Sequence, residues 1–371
     1  TGPYQLDIGF GINSASGSYL GLTTLGRPGT LLNPDLKPER TTSTEFGLEF
    51  RFLNNRVFGD FSYYSISTTD LIMDVPVSPS TGYSSFRSNV GEVTNKGFEF
   101  LVGGTPIRMN DFSWDISVNF SKNENELVEL IEGVESYTFT TTNSGILAVR
   151  ATVGGGYGDI YGTEWQTTED GRYVVDATGR PTSTGELVLL GNYQPDFMGG
   201  MTNTLRYKNL TLSFLIDARI GGQLYSGTNA SIMGSGVGIE TVNRESRVVD
   251  AVVNTSGDPD NPTWEANTQE ISGQQYFGAI SGFADTHLYD QTNIRLRELS
   301  LMYRFPSSTF DGIFIQDLTI GVVGRNLFFF TNDMPNFDPE STFSTSNFSQ
   351  GVLWYNLPTT RSIGFNLNVR F

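Results

Sequence analysis

The sequence predicts an all-β protein, a transmembrane antiparallel β-barrel, on three observations. Apolar and polar residues alternate with period two over segments of the ~9–11 residues that a tilted strand needs to cross a bilayer. The connections between these segments alternate between short and long. No stretch approaches the ~18 consecutive apolar residues of a membrane helix.

The alternation is read element by element. Phe46, Leu48, Phe50 and Phe52 alternate with Glu45, Gly47, Glu49 and Arg51, which predicts a strand over 43–52. Residues 56–66 are strand-like but carry Tyr and Phe on both faces. Phe98, Phe100 and Val102 mark a strand over 94–103. Phe112, Trp114, Ile116, Val118 and Phe120 mark 112–121, with Asp115 and Asn119 on the other face. Strands are also predicted over 197–207 and 209–219, the second carrying Leu210, Leu212, Phe214 and Ile216 against Thr211, Ser213 and Asp217. In 293–304 the apolar phase shifts from Ile294 and Leu296 to Leu299, Leu301 and Tyr303, which reads as a bulge or a membrane boundary. Leu318, Ile320 and Val322 mark 315–325. In the closing strand, 361–371, Ile363, Phe365, Leu367, Val369 and Phe371 share one face and Gly364, Asn366, Asn368 and Arg370 the other.

A soluble β-sandwich also alternates, but its strands average ~5–6 residues. Long connections at 67–93, 122–196, 221–292 and 327–360 would also be foreign to a compact soluble domain. They suit an outer-membrane barrel, whose periplasmic turns are short and outer loops long. With Phe371 at the periplasmic end, all four long segments fall outside the cell. Residues 1–42 read as a further outer loop, with 4–12 as a candidate tenth strand. Charges on lipid at mid-membrane are unfavourable, so Glu45, Glu49, Asp115, Asp217 and Arg219 are expected to face a polar lumen.

Composition narrows the function. The net charge of −17 argues against a nucleic-acid partner. No cysteine is present, so thiolate chemistry and disulfides are excluded. The single histidine, His287, cannot supply a multi-histidine zinc site, and no GxSxG elbow accompanies it for a triad. VGGGYGDIYG at 153–162 does not match a phosphate-binding loop. Asp258-Pro259-Asp260-Asn261 reads first as a turn and second as a structural calcium site; no other cofactor is expected. Glu124, Glu126, Glu129, Glu132 and Glu135 read as a solvated loop face.

Nine or ten strands leave two solutions, since an open sheet edge cannot sit in lipid. The chain closes alone as a ten-stranded barrel, serving as an enzyme or pore, or it is part of a larger barrel. Several motifs in order favour the second. LLNPDLKPERT at 31–41 resembles the NPxLKPE motif of TonB-dependent outer-membrane transporters, and VGEVTNKGFEF at 90–100 resembles their GxxxNKGxE motif. The segments 193–228 and 294–306, GRNLFFFT at 324–331 with Asp338-Pro339-Glu340, and the closing PTTRSIGFNLNVRF are similar to the SusC/RagA-type branch.

That resemblance implies a Bacteroidetes outer-membrane importer, not an enzyme. The chain would be the last nine or ten strands of a 22-stranded type barrel, one domain over 1–371 lacking the plug. It implies a SusD-like lid lipoprotein, energy from the TonB complex through the missing N-terminal part, and oligosaccharide or oligopeptide cargo. The alternative is a barrel of this family in a structural or secretion-associated complex. Outer-membrane lipid and the barrel assembly machinery are further expected partners, the latter through Phe365, Leu367, Val369 and Phe371. Sugar rings stack on aromatics, so Tyr157, Tyr161, Trp165, Trp264, Tyr276, Phe277, Trp354 and Tyr355 are the candidate ligand-binding residues of the outer segments.

Overall fold

The computed structural model describes residues 9, 11–13, 24–142, 145–312, 314–341 and 350–371. Nine strands form one antiparallel sheet in unbroken chain order. They are β1 (Arg40–Phe52), β2 (Val57–Thr69), β3 (Glu92–Arg108), β4 (Phe112–Glu129), β5 (Phe197–Tyr207), β6 (Leu210–Ile220), β7 (Asn293–Arg304), β8 (Asp317–Asn332) and β9 (Ser362–Arg370). Each predicted strand is present, and the short turns gather at one end of the wall. By the rule that periplasmic turns are short, that end is periplasmic.

Three strands run further outward than the alternation reaches: β3 starts at Glu92, β4 continues to Glu129 and β8 to Asn332. Their ladders continue, with Gly97 opposite Asn123 and Thr94 opposite Glu126. Beyond the membrane both faces are wetted, so the period-two signal fades while the backbone pairing does not.

Register carries the apolar face from strand to strand. One row crosses Leu48, Phe61, Phe100 and Phe120. Another runs from Ile107 through Trp114, Leu205, Leu212, Leu301 and Val322 to Phe365. The Phe120 ring stacks on Phe100 and Phe197, each at 5.1 Å between centroids. Phe46, Leu48, Leu301, Val322 and Leu367 lie exposed, and Phe365 is 87% exposed. A bare apolar surface of this extent belongs against lipid. Trp114 donates its indole N–H to Asn203 Oδ1 at 3.0 Å, which gives the indole its partner on the lipid side.

The opposite face holds the charges. Arg206 pairs with Asp115, which also accepts from the Thr105 hydroxyl at 2.6 Å. Arg297 pairs with Asp217 and Glu340. In β2 the aromatic strand sorts by register: Phe61 and Tyr63 face lipid, and Tyr64 points to the lumen side, opposite Glu45.

The phase shift predicted in β7 is a bulge. Register slips between Leu296 and Glu298 on both sides, against Ile216/Leu215 of β6 and against Phe328/Arg325 of β8. Asn326 takes up the slack at φ 51 and accepts from Arg297 Nη1 at 3.3 Å. Arg295 and Arg297, two residues apart, share the lumen side, where their partners lie, and the slip brings the next residue, Glu298, to that side as well.

Among the described residues β1 and β9 each pair on one side only. Most of the candidate strand 4–12 lies outside the described residues. Residues 11–13 pair with 24–26 and not with the wall.

The long segments are not open loops. They fold into a cap that contains most of the fully buried apolar side chains: Leu147, Val149, Ile160, Tyr225, Ala284 and Leu353. Four short strands, Ser136–Thr141, Leu147–Thr152, Tyr157–Gly162 and Val188–Asn192, make one sheet. Two helices, α1 (Gly227–Gly234) and α2 (Gly273–Ile280), pack on each other, and Ser272 and Gln275 form a capping box at the start of α2. Such short elements set in Gly, Ser and Thr carry too few periods to be legible in sequence.

Candidate functional site

The mouth of the wall, where the lumen face meets the cap, is built from both. A chamber of about 270 Å³ is lined by Tyr64, Glu99, Ser121 and Asn123 of β2 to β4, Arg219 of β6, and Tyr193 and Gln350 of the cap, among others. Tyr64 donates to Asn123 Oδ1 at 3.0 Å. Arg219 donates through Nη2 to the Tyr193 carbonyl at 2.7 Å and to Gln291 Oε1 at 2.8 Å. A carboxylate, a guanidinium, amides and phenols on one chamber can hold hydroxyls or peptide groups by hydrogen bonds. None of the wall residues was singled out by the sequence as a ligand contact. The available signal is their shared wet face at the outer ends of their strands.

The cap is tied into the wall by charge. Arg295 donates to Asp338 Oδ2 at 2.6 Å and to Glu340 Oε2 at 3.2 Å. The side chains of Arg295 and Asp338 are 1% and 4% exposed. Phe329 lies under the guanidinium at 4.0 Å, and the Thr359 hydroxyl donates to Asp338. Burial works to raise the Asp338 carboxyl, but bonds from Thr359, the Glu340 amide and Arg295 outweigh it and hold the group below the usual carboxylate range. The Asp-Pro-Glu read as a family motif is therefore the clasp of the last outer segment.

The eight candidate aromatics do not converge on one surface. Tyr157 packs on Phe139 at 4.4 Å inside the main cap core. The Tyr161 hydroxyl bonds Thr152 at 3.0 Å, and Arg150 sits over its ring. Trp165 donates to the Val174 carbonyl at 2.8 Å, and with Tyr276 it packs against a second core of Val175, Val249, Ala251 and Ile271. Arg247 lies over the rings of both Tyr276 and Phe277. Phe277 also lines a cavity of about 480 Å³ with Met233, Arg244 and Ser272. Trp264 stands half-buried in a short strand apart from the others. Trp354 covers Gly227 at the start of α1. Tyr355 is 64% exposed, with its amide on Thr228 Oγ1 at 2.7 Å and its hydroxyl on Ser231 at 2.9 Å.

The glycine-rich segment has a packing explanation. Gly158 has φ +100, and a Cβ there would lie 2.3 Å from the Tyr193 ring. Beside it Asp159 is buried and accepts from Asn192 at 2.8 Å; burial pushes its carboxyl up. Asp258 accepts from the Asp260 amide at 3.0 Å and from Asn261 at 3.3 Å, the geometry of a turn. Among the described residues no set of His, Asp and Glu is grouped as metal ligands. Of the acidic run, Glu124 pairs with Lys122 at 2.7 Å on β4. His287 is 1% exposed, and among the described residues neither ring nitrogen has a hydrogen-bond partner, so no described serine or carboxylate is engaged for a triad.

A family model described as TonB dependent receptor-like, beta-barrel, matches residues 8–217, more than half of the chain. The chain belongs to the TonB-dependent receptor β-barrel family. It is similar to TonB-dependent receptor P3 of Formosa agariphila, with 29% identity across 91% of this chain and 35% of that protein. It is also similar to the TonB-dependent receptor SusC of Bacteroides thetaiotaomicron, with 30% identity across 52% of this chain and 20% of that protein. The chain thus spans about a third of the Formosa relative and less of SusC. The fold is that seen in the structure of the RagAB peptide importer in its open-open state, with a TM-score of 0.71 and 21% identity over 100% of this chain and 38% of that one. As a member of this family the wall is an outer-membrane barrel segment, and its apolar rows are the lipid face.

Proposed function

We propose that this receptor segment serves TonB-dependent active import of oligosaccharides or oligopeptides, working with a SusD-like lid lipoprotein. The observation that carries the reading is the mixed chamber at the mouth, shared by lumen-facing wall residues and a folded cap clasped to the wall. Such a site holds a polar polymer outside the lumen until a path opens. The TonB complex would act through an N-terminal part of the full protein. The barrel assembly machinery would take the closing strand with Phe365, Leu367, Val369 and Phe371. The cap aromatics, Tyr355 above all, are the proposed contacts for a sugar ring or an apolar side chain.

The test is uptake by a host strain carrying the full gene, its deletion, and Glu99→Ala with Arg219→Ala. Loss of uptake of one glycan or peptide class in the deletion and in the double variant supports import. Unchanged uptake of every class after deletion would favour a structural or secretion-associated role. Co-purification of the full protein tests the lid.

A further inference from the structure

The outward face of the wall carries a groove apart from the chamber at the mouth. It has a volume of about 660 Å³ and is lined by Leu53, Val57, Val102, Gly104, Ile116 and Val118, with Arg56 at its end. Val57, Gly104 and Ile116 form one cross-strand row, and Val102 and Val118 the next, so the groove opens on the lipid side. It lies beside the turn between β1 and β2, at the periplasmic end.

Its shape has a local cause. The β3–β4 register slips between Gly104 and Ile107, so Thr105 and Pro106 stand opposite the single residue Asp115. Gly104 leaves its place in the apolar row empty. No side chain can fill it, since a Cβ there would lie 2.4 Å from the Arg56 carbonyl oxygen. The bulge also turns two carbonyls toward Arg56. Its Nη2 donates to Thr105 O at 3.1 Å and to Pro106 O at 3.2 Å. These bonds orient the guanidinium and leave Nη1 without a hydrogen-bond partner among the described residues. Among the described residues no carboxylate lies within ion-pair reach of Arg56.

We infer that this groove seats one phospholipid of the periplasmic leaflet, an acyl chain along Val57, Val102 and Val118 and the phosphate on Arg56. The occupant follows from the surroundings. An apolar groove in a bilayer gains little over bulk lipid from chain contact alone. Selection must come from the polar end, and an unpaired guanidinium at the depth of the headgroups is a phosphate donor. A second protein copy would bring no required anion to that point.

The experiment uses the full-length protein. Native mass spectrometry after graded delipidation should find a phospholipid retained on the wild type. Arg56→Gln should lower retention about tenfold, in line with the loss of a charge-assisted bond, and Val102→Trp should do the same by filling the groove. Arg56→Lys should retain an intermediate amount. Millimolar inorganic phosphate should not displace the lipid, because after delipidation no bulk lipid competes for the acyl chain and its contacts add to the hold on the phosphate; displacement by phosphate alone would show a simple anion site and overturn the proposal. All three variants should keep the heat-modifiable gel shift of a closed barrel. If any of them fails to assemble, the wild type decides. Photoactivatable phospholipid should crosslink to peptides containing residues 53–57 or 102–118, and labelling spread evenly round the wall overturns the proposal.

Discussion

Arg295, on the lumen face of β7, holds Asp338 of the last outer segment at 2.6 Å, with both side chains almost wholly excluded from water. The pair joins a wall residue to a cap residue 43 positions later in the chain. Cutting one partner strands the other as a buried charge. Arg295→Met or Asp338→Asn should therefore destabilise the clasp by ~3–5 kcal/mol, while the double substitution should cost much less than the sum. Limited proteolysis of the 333–361 segment on the assembled protein reads this directly. Additive single effects would refute the coupling.

The clasp should also respond to acid. The folded Asp338 carboxyl lies below its ordinary value. Its stabilisation is thus complete above the unfolded pKa of ~3.9 and is lost as pH falls through the lower folded value. Proteolytic protection of 333–361 should fall as pH drops below ~4, and Asp338→Asn should flatten that dependence.

His287 acts over a different range. Burial holds its imidazole below the ordinary value, with Glu240 and Asp285 opposing. The folded cap then binds fewer protons than the unfolded one, so it loses stability as pH falls below the unfolded ~6.5 and ceases to lose more once the folded value is passed. His287→Phe should remove that dependence between neutral and mildly acid pH. Hydrogen exchange of amides in 224–231 and 284–290 is the measurement, and an unchanged profile would count against it.

The facing of the wall makes an opposed pair of predictions. Phe365 opposes Val322 on the lipid rows, and Asn366 opposes Gly321 on the other face. Phe365→Lys should cost ~2–4 kcal/mol at mid-membrane and lower the heat-modifiable, assembled fraction. Asn366→Lys should leave that fraction near wild type. Equal yields would refute the lipid and lumen assignment.

Two aromatics separate binding from packing. Tyr355 stands out of the cap, while Trp165 is packed against Val175 and Ile271. Tyr355→Ala should lower uptake with the cap's melting unchanged. Trp165→Ala should lower the melting temperature, by ~3–5 kcal/mol of lost packing. The readouts are cargo uptake by cells and thermal melting of the purified protein.

The wall was legible because a strand in lipid must repeat one choice, apolar or polar, at every second residue. Phe112 to Phe120 and Ile363 to Phe371 state that choice residue by residue. Even the slip at Leu296 to Leu299 was visible, as an interruption of phase. The sequence by itself determined nine wall strands, with a tenth left open, the faces of all but the aromatic strand Val57–Thr69 and, through motifs in order, the family. The tertiary structure alone decided what the long segments do. Leu147, Ile160, Tyr225 and Leu353 form cores through contacts between strands of a few residues, far apart in the chain, and no local period records such contacts. Seven of the eight candidate aromatics are half-buried and Tyr355 is exposed, a division no local period records, since a ring in a short polar segment is as well suited to packing as to display. The closing strand shows the division most plainly. Its alternation settles which way Phe365 faces, while only pairing across the whole sheet decides that Leu205, Leu212, Leu301 and Val322 stand in line with it, because register depends on partners the strand does not contain.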